Sequence, residues 1–213
     1  MKTMGRAVAL LGSIVFSILF MQGILSAQSI VDEWQAVKTP PPPELKEVKL
    51  DPGTTALLLL DFNKQTCNEK TRPRCIETIP AVANLLKKVR DSGGKVIYSL
   101  SAGATVADIA KELRPVGDEP AVTSGPDKFL GTDLDRIIRE KGIKTVIVTG
   151  TAAHVAVLYT ASGAALRGAQ VVVPVDGLSA ENPYAEQYTV WHLKNAPRVS
   201  AQVTLTKTTL IKF

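Results

Sequence analysis

The chain has 213 residues, 45% of them hydrophobic and 21% charged, with a formal net charge of +5. That is enough apolar material for one domain with a proper core. The small cationic surplus, with no Lys/Arg stripe interleaved with aromatics, argues against nucleic acid as a partner.

The first 27 residues do not read as part of the fold. Lys2 and Arg6 give a basic start, Ala7 to Met21 is an apolar core broken only by Gly and Ser, and Leu25-Ser26-Ala27 precedes a cut before Gln28. This is the pattern of a secretory signal peptide. A retained membrane anchor is the alternative, but the apolar core is short for a span. The expectation is an exported protein, periplasmic or secreted, with no membrane attachment after cleavage. Leu25 stands where a small residue is preferred, so the exact cut stays open.

Residues 28–52 contain Trp34 and four consecutive prolines, Pro40 to Pro43. Proline fixes an extended, unpaired backbone, so this reads as an arm over the domain or reaching a neighbour. Residues 53–213 form the domain. Thr55 to Leu60 is a continuous apolar run closed by Asp61, the pattern of a buried parallel strand whose end opens into a crevice. The two cysteines, Cys67 and Cys75, flank the segment NEKTRPR. In an exported chain they are disulfide candidates; a reactive Cys67 thiol is the weaker reading.

Further along, apolar Ile79, Val82, Leu85, Leu86 and Val89 at helical spacing predict a helix from about Ile76 to Asp91, stopped by Ser92-Gly93-Gly94. Lys95 to Leu100 is a second strand. A short helix is expected near Val106 to Leu113, then a brief strand at Ala121 to Thr123. The loop SGPDKF leads to a helix from about Asp133 to Lys141, with Thr132 as its N-cap. Val146 to Gly150 is a strand, Val155 to Leu166 a helix, and Val171 to Val173 a strand. Asn182 to Asn195 is a last helix and Val203 to Thr206 a last strand. Strands alternating with helices predict an α/β domain with a mainly parallel sheet. In such a sheet, ligands bind where a strand's carboxyl end faces a helix N-terminus. Here Thr151, Ala152, Ala153, His154 and Ala156 line that position.

The segment KTVIVTGTAAHVAVLYTASGAALRGAQVVVPVDG, residues 144–177, resembles the isochorismatase-like hydrolase superfamily, also called the cysteine hydrolase family. Many members carry V-V-x-G-x-A-T-x-x-C-V-x-x-T-A-x-x-A-x-x-x-G-x-x-V here, ending in V-x-x-D before Ala or Gly. Gly150, Ala152, Val157, Thr160, Ala161, Ala164, Gly168, Val172 and Asp176 fall on that pattern. The resemblance spans Leu57 to Ile211. It implies a three-layer α/β/α architecture with about six strands, and an oligomer.

It also implies a site. Most relatives use an Asp-Lys-Cys set, in which Asp activates Cys for attack on a carbonyl and backbone N–H groups hold the oxyanion. Asp61 matches the aspartate, a general acid or base; a carboxylate capping a loop is the bland alternative. The residues after it, FNKQTC, depart from the frequent D-x-Q-x-D-F. The lysine of K-x-x-x-S-A-F falls on Thr123, whereas Lys128 lies in the loop, either reaching the crevice on its long stem or solvated. The nucleophile position is Ala156, whose methyl group has no lone pair, so a thioester route is closed. The surrounding residues are similar to the Y-A-H-x-G pattern of isochorismatases proper, including members that lack the cysteine and cleave a vinyl ether. This favours a naturally occurring alanine over a replaced cysteine.

His154 orients a substrate carboxylate or Asp61 in one reading and is structural in the other. The amides of Ala152 and Ala156 match the oxyanion positions, and Thr151-Ala152 the family's cis peptide. Only His154 and His192 occur in the chain, so no metal site is expected. No phosphate-binding glycine motif is present and no cofactor is expected. The function these residues imply is an exported hydrolase without a thiol nucleophile, acting through Asp61 on a small amide, urea or enol ether. Two alternatives stand beside it: an inactive small-anion-binding protein of the same fold, and a structural oligomer.

Overall fold

The computed structural model describes residues 29–213, so residues 1–27, where the sequence pattern predicts a signal peptide, lie outside the described residues. Two compact units are distinguished, dividing between Thr39 and Pro40. In the first, Ser29 caps a short helix α1 (Ile30–Glu33) followed by a 3-10 turn at Trp34–Ala36. The second unit carries everything from Pro40 to Phe213, including the proline run.

In chain order its elements are β1 (Val48–Lys49), β2 (Thr55–Leu60), α2 (Pro73–Asp91), β3 (Lys95–Leu100), β4 (Ala121–Thr123), α3 (Leu134–Glu140) and β5 (Thr145–Thr151). A π-helical turn (Ala153–Val157) leads into α4 (Leu158–Leu166). Then come β6 (Gln170–Pro174), β7 (Leu178–Ser179), α5 (Pro183–Asn195), β8 (Val203–Thr206) and β9 (Ile211–Lys212). The main sheet runs β4-β3-β2-β5-β6-β8, every pair parallel, with short β7 joining β5 at Gly150↔Leu178 and Thr151↔Ser179.

Strand alternation splits the core in two. Ala56, Leu58 and Leu60 of β2 join Val146 and Val148 of β5 on the face covered by α3, α4 and α5. Leu57 and Leu59 face the other way, with Val96, Tyr98 and Ile147, against Ile79, Val82, Leu85, Leu86 and Val89 of α2. These are the helical positions that the spacing picked out. The result is the three-layer α/β/α arrangement, with six strands on its main path.

Four local differences have physical causes. Helix α2 starts at Pro73 rather than near Ile76, because proline is already set for the first helical position. Cys75 therefore sits inside the helix and not in a loop. The helix expected at Val106–Leu113 is two 3-10 turns, Val106–Asp108 and Lys111–Leu113. Between them Ile109 bridges Asn63, and the Ala110 amide donates to the Phe62 carbonyl at 2.9 Å, pulling the backbone out of helical form. Asp133, not Thr132, directly precedes α3, although the Thr132 hydroxyl accepts from the Leu134 amide at 3.2 Å. Finally, β1 pairs with β9 in a two-stranded sheet that no periodicity announced.

Candidate active site at the switch point of the sheet

From β2 the chain steps outward through β3 to β4, then returns to β5 on the other side of β2 and steps outward again. The strand order reverses between β2 and β5. Their carboxyl ends mark the position where open α/β sheets bind ligands. Leu60 pairs with Gly150, so Asp61 and Thr151 leave neighbouring strands side by side. Gly150 permits this closeness. A Cβ there would lie 2.4 Å from the Leu60 carbonyl oxygen, and its φ of +145° suits only glycine.

Asp61 is 6% exposed and adopts a left-handed backbone, φ 56°, a conformation aspartate tolerates better than most residues. Four bonds fix it. Its amide donates to the Ser99 carbonyl at 3.2 Å and its carbonyl accepts from the Thr66 hydroxyl at 2.5 Å. The Ser99 hydroxyl donates to Oδ1 at 2.7 Å, and the Lys128 ammonium donates to Oδ2 at 2.7 Å.

Lys128 is 1% exposed and all three of its N–H groups find acceptors: Asp61, the Gly125 carbonyl at 2.8 Å and the Ser124 carbonyl at 3.3 Å. The loop SGPDK curls back over its own lysine. The Lys128 amide donates to Thr160 Oγ1 of α4 at 3.3 Å, and its carbonyl accepts from Thr132 Oγ1 at 2.5 Å. Of the two candidate lysine positions, the structure brings Lys128 to Asp61. Thr123 is exposed at the end of the edge strand β4.

The elbow after β5 begins with a cis peptide between Thr151 and Ala152. Thr151 is fully buried, its hydroxyl donating to the Ser179 carbonyl at 3.2 Å. Ala152 and Ala156 are 3% and 2% exposed, the Ala156 methyl packing in the apolar cluster with Leu60, Phe129 and Leu178. His154 is half-buried; its Nδ1 lies 3.9 Å from Glu181 Oε2 and has no hydrogen-bond partner among the described residues. Glu181 in turn accepts from Arg72 Nε at 2.6 Å. Burial pushes the Glu181 carboxyl up, but its own backbone amide, Arg72 and His154 outweigh this and hold it below the ordinary glutamate value. Buried Asn63 Nδ2 and Ser179 Oγ also lack partners among the described residues. Cys67 and Cys75 form a disulfide, Cα to Cα 5.4 Å, in the segment that follows Asp61.

The family pattern points to neither Ser99 nor Thr66, and it marks Thr160 as a match without giving it a role. A signal existed for Ser99, the one aliphatic hydroxyl inside the otherwise large and apolar-bodied strand core VIYSL. Among the described residues, no group of three or more His, Cys, Asp or Glu side chains is arranged to hold a metal ion.

Residues 55–207 match the sequence profile of the isochorismatase domain. The chain belongs to the isochorismatase family. A curated relative, a secreted isochorismatase effector of Verticillium dahliae, is 29% identical over 136 residues, covering 58% of this chain and 72% of the relative. An isochorismatase family protein of Desulfovibrio vulgaris superposes with a TM-score of 0.67 at 23% identity, over 73% of this chain and 95% of that one. N-carbamoylsarcosine amidase of Thermoplasma acidophilum gives 0.62 at 22% identity, over 73% and 96%. The isochorismatase fold is thus shared with proteins of differing chemistry, and function has to be argued from the site.

Proposed function

We propose that this isochorismatase-family protein is an exported hydrolase that works without a thiol nucleophile, with Asp61 as general base. The observation that carries this reading is the buried Ser99–Asp61–Lys128 arrangement, in which both carboxylate oxygens accept from donors. A carboxyl group held in this way is poised to take a proton, which fits amide or urea hydrolysis better than protonation of an enol ether. Asp61 removes a proton from water as the water oxygen attacks the carbonyl carbon. The amides of Ala152 and Ala156 steady the oxyanion, and the proton passes to the departing nitrogen as the C–N bond breaks. Lys128 balances the charge of Asp61. Unpartnered buried atoms of Asn63 and Ser179 support a polar small-molecule ligand, since such groups normally find partners. The amidase among the structural relatives makes amides and ureas sensible first substrates.

The test is a panel of small amides, ureas and enol ethers offered to wild type and to Asp61→Asn. Expected is turnover of an amide or urea, reduced at least about 100-fold in the variant. Equal activity in both proteins overturns the reading, and turnover of enol ethers alone reassigns Asp61 as an acid. Binding without turnover is the second reading, favoured by the closed Asp61–Lys128 pair, in which no lysine N–H is left over. A ligand that saturates wild type and is never consumed supports it.

Export rests on the leader pattern of residues 1–27, on the Cys67–Cys75 disulfide, which suits an oxidising compartment, and on the secreted relative. N-terminal sequencing of protein from an exporting host is expected to begin near Gln28. Recovery of the intact Met1 terminus from the cells alone would contradict it.

A further inference from the structure

Ser99 has no part in the set of residues implied by the resemblance, yet it is bound to Asp61 twice. Its carbonyl accepts the Asp61 amide at 3.2 Å and its hydroxyl donates to Asp61 Oδ1 at 2.7 Å. It is 2% exposed and sits on β3 opposite Leu60, the residue before Asp61. Strand alternation alone would turn Asp61 to the opposite face from Ser99; the left-handed backbone of Asp61, φ 56°, brings its carboxylate back to the hydroxyl. The two oxygens of Asp61 are not equivalent. Oδ2 faces the Lys128 ammonium at 2.7 Å, and a proton arriving there would compete with that ammonium for the same oxygen. Oδ1 faces only a neutral hydroxyl and keeps its second lone pair.

From this asymmetry we infer that Ser99 is the positioning residue of the site and that Oδ1 is the oxygen that takes the proton from water. The inference rests on the hydrolase reading for its chemistry, but its geometric half does not. In the step itself, one water O–H bond breaks, the proton joins Oδ1, and the water oxygen forms the new bond to the carbonyl carbon. Ser99 stays protonated throughout, holding the carboxylate against rotation so that its free lone pair keeps one direction. Lys128 alone cannot do this, since it anchors only Oδ2 and leaves Oδ1 free to swing about that contact, whereas the Ser99 bond fixes the second oxygen.

The test compares wild type with Ser99→Ala, Ser99→Thr and Ser99→Cys, using protein carrying 13C-labelled aspartate carboxyls. The infrared carboxylate band of Asp61 is first assigned by its loss in Asp61→Asn. Expected is a displaced band in Ser99→Ala and a band restored in Ser99→Thr, with unchanged circular dichroism. Ser99→Cys keeps the volume with a weaker donor, so it covers the case in which threonine does not fit the strand. With the substrate found in the panel, kcat of Ser99→Ala should fall at least about 10-fold while KM holds within about 2-fold. An unmoved band in folded Ser99→Ala overturns the positioning role. A moved band with unchanged kcat overturns the choice of Oδ1. A moved band in a protein that turns nothing over leaves Ser99 as the holder of Asp61 and sinks the hydrolase reading instead.

Discussion

Lys128 and Asp61 show how much one buried pair constrains at the residue scale. Removing one member strands a charge in an apolar surrounding, which typically costs about 3–5 kcal/mol, whereas removing both is often close to neutral. Lys128→Met is therefore expected to lower stability by about 4 kcal/mol in urea unfolding. Adding Asp61→Asn to it should recover much of that loss. If the double variant is no more stable than Lys128→Met, the pair is not what the lysine is for. Gly150 is the other critical residue. Gly150→Ala combines a backbone region unsuited to side chains with a Cβ 2.4 Å from a carbonyl oxygen, so a loss of about 3 kcal/mol or more is expected. Asp61 was legible because a carboxylate ended an apolar run, and Ala156 because its neighbours matched a pattern. Lys128 was legible only as one of two readings, because a lysine that folds back over its own loop looks in sequence like any solvated loop lysine.

At the scale of elements, the disulfide fastens the segment behind the site to the first turn of α2. Nine residues lie in the closed ring from Cys67 to Cys75, a sequence separation of 8. Loop-closure entropy for so short a ring gives about 2–3 kcal/mol. Cys67→Ser with Cys75→Ser is expected to lose that amount by calorimetry, with β2 and β5 intact by hydrogen exchange. A double variant as stable as wild type would mean that Asn63, Thr66 and Arg72 hold the segment unaided. The long elements could be read from their periods: every residue of β2 is buried, and α2 turns Val82, Leu85, Leu86 and Val89 inward. Two-residue strands were not readable. β7 exists only because β5 extends past Gly150 and offers unpaired groups to Leu178 and Ser179. Such a pairing comes from the tertiary fold, and so do the two turns that replace a helix at 106–113.

For the molecule as a whole, acid is the informative stress, because carboxylates tie its separate segments together. Asp108 holds the segment after β3 to the loop after β2: Lys64 lies at 2.5 Å and Gln65 donates at 3.1 Å. Lys64 first, then the Thr105 amide and Gln65, hold its carboxyl far below the ordinary aspartate value. Glu181 is likewise held down, first by its own backbone amide and then by Arg72 at the start of α2, and Asp133, just before α3, by Arg136 within that helix. A carboxyl whose folded value lies below its unfolded value of about 4 stabilises the native state above that pH. That contribution drains away as the pH drops from about 4 through the folded value. Protonation also adds to a chain that already carries +5, so self-repulsion works in the same direction. The urea midpoint is therefore expected to be flat between about pH 7 and 5 and to fall below about pH 4. Asp108→Asn should be less stable at pH 7 and show a shallower fall, because it no longer has that carboxylate to lose. A wild-type midpoint unchanged from pH 5 to 3 would mean that the unfolded chain holds these carboxyls as low as the fold does.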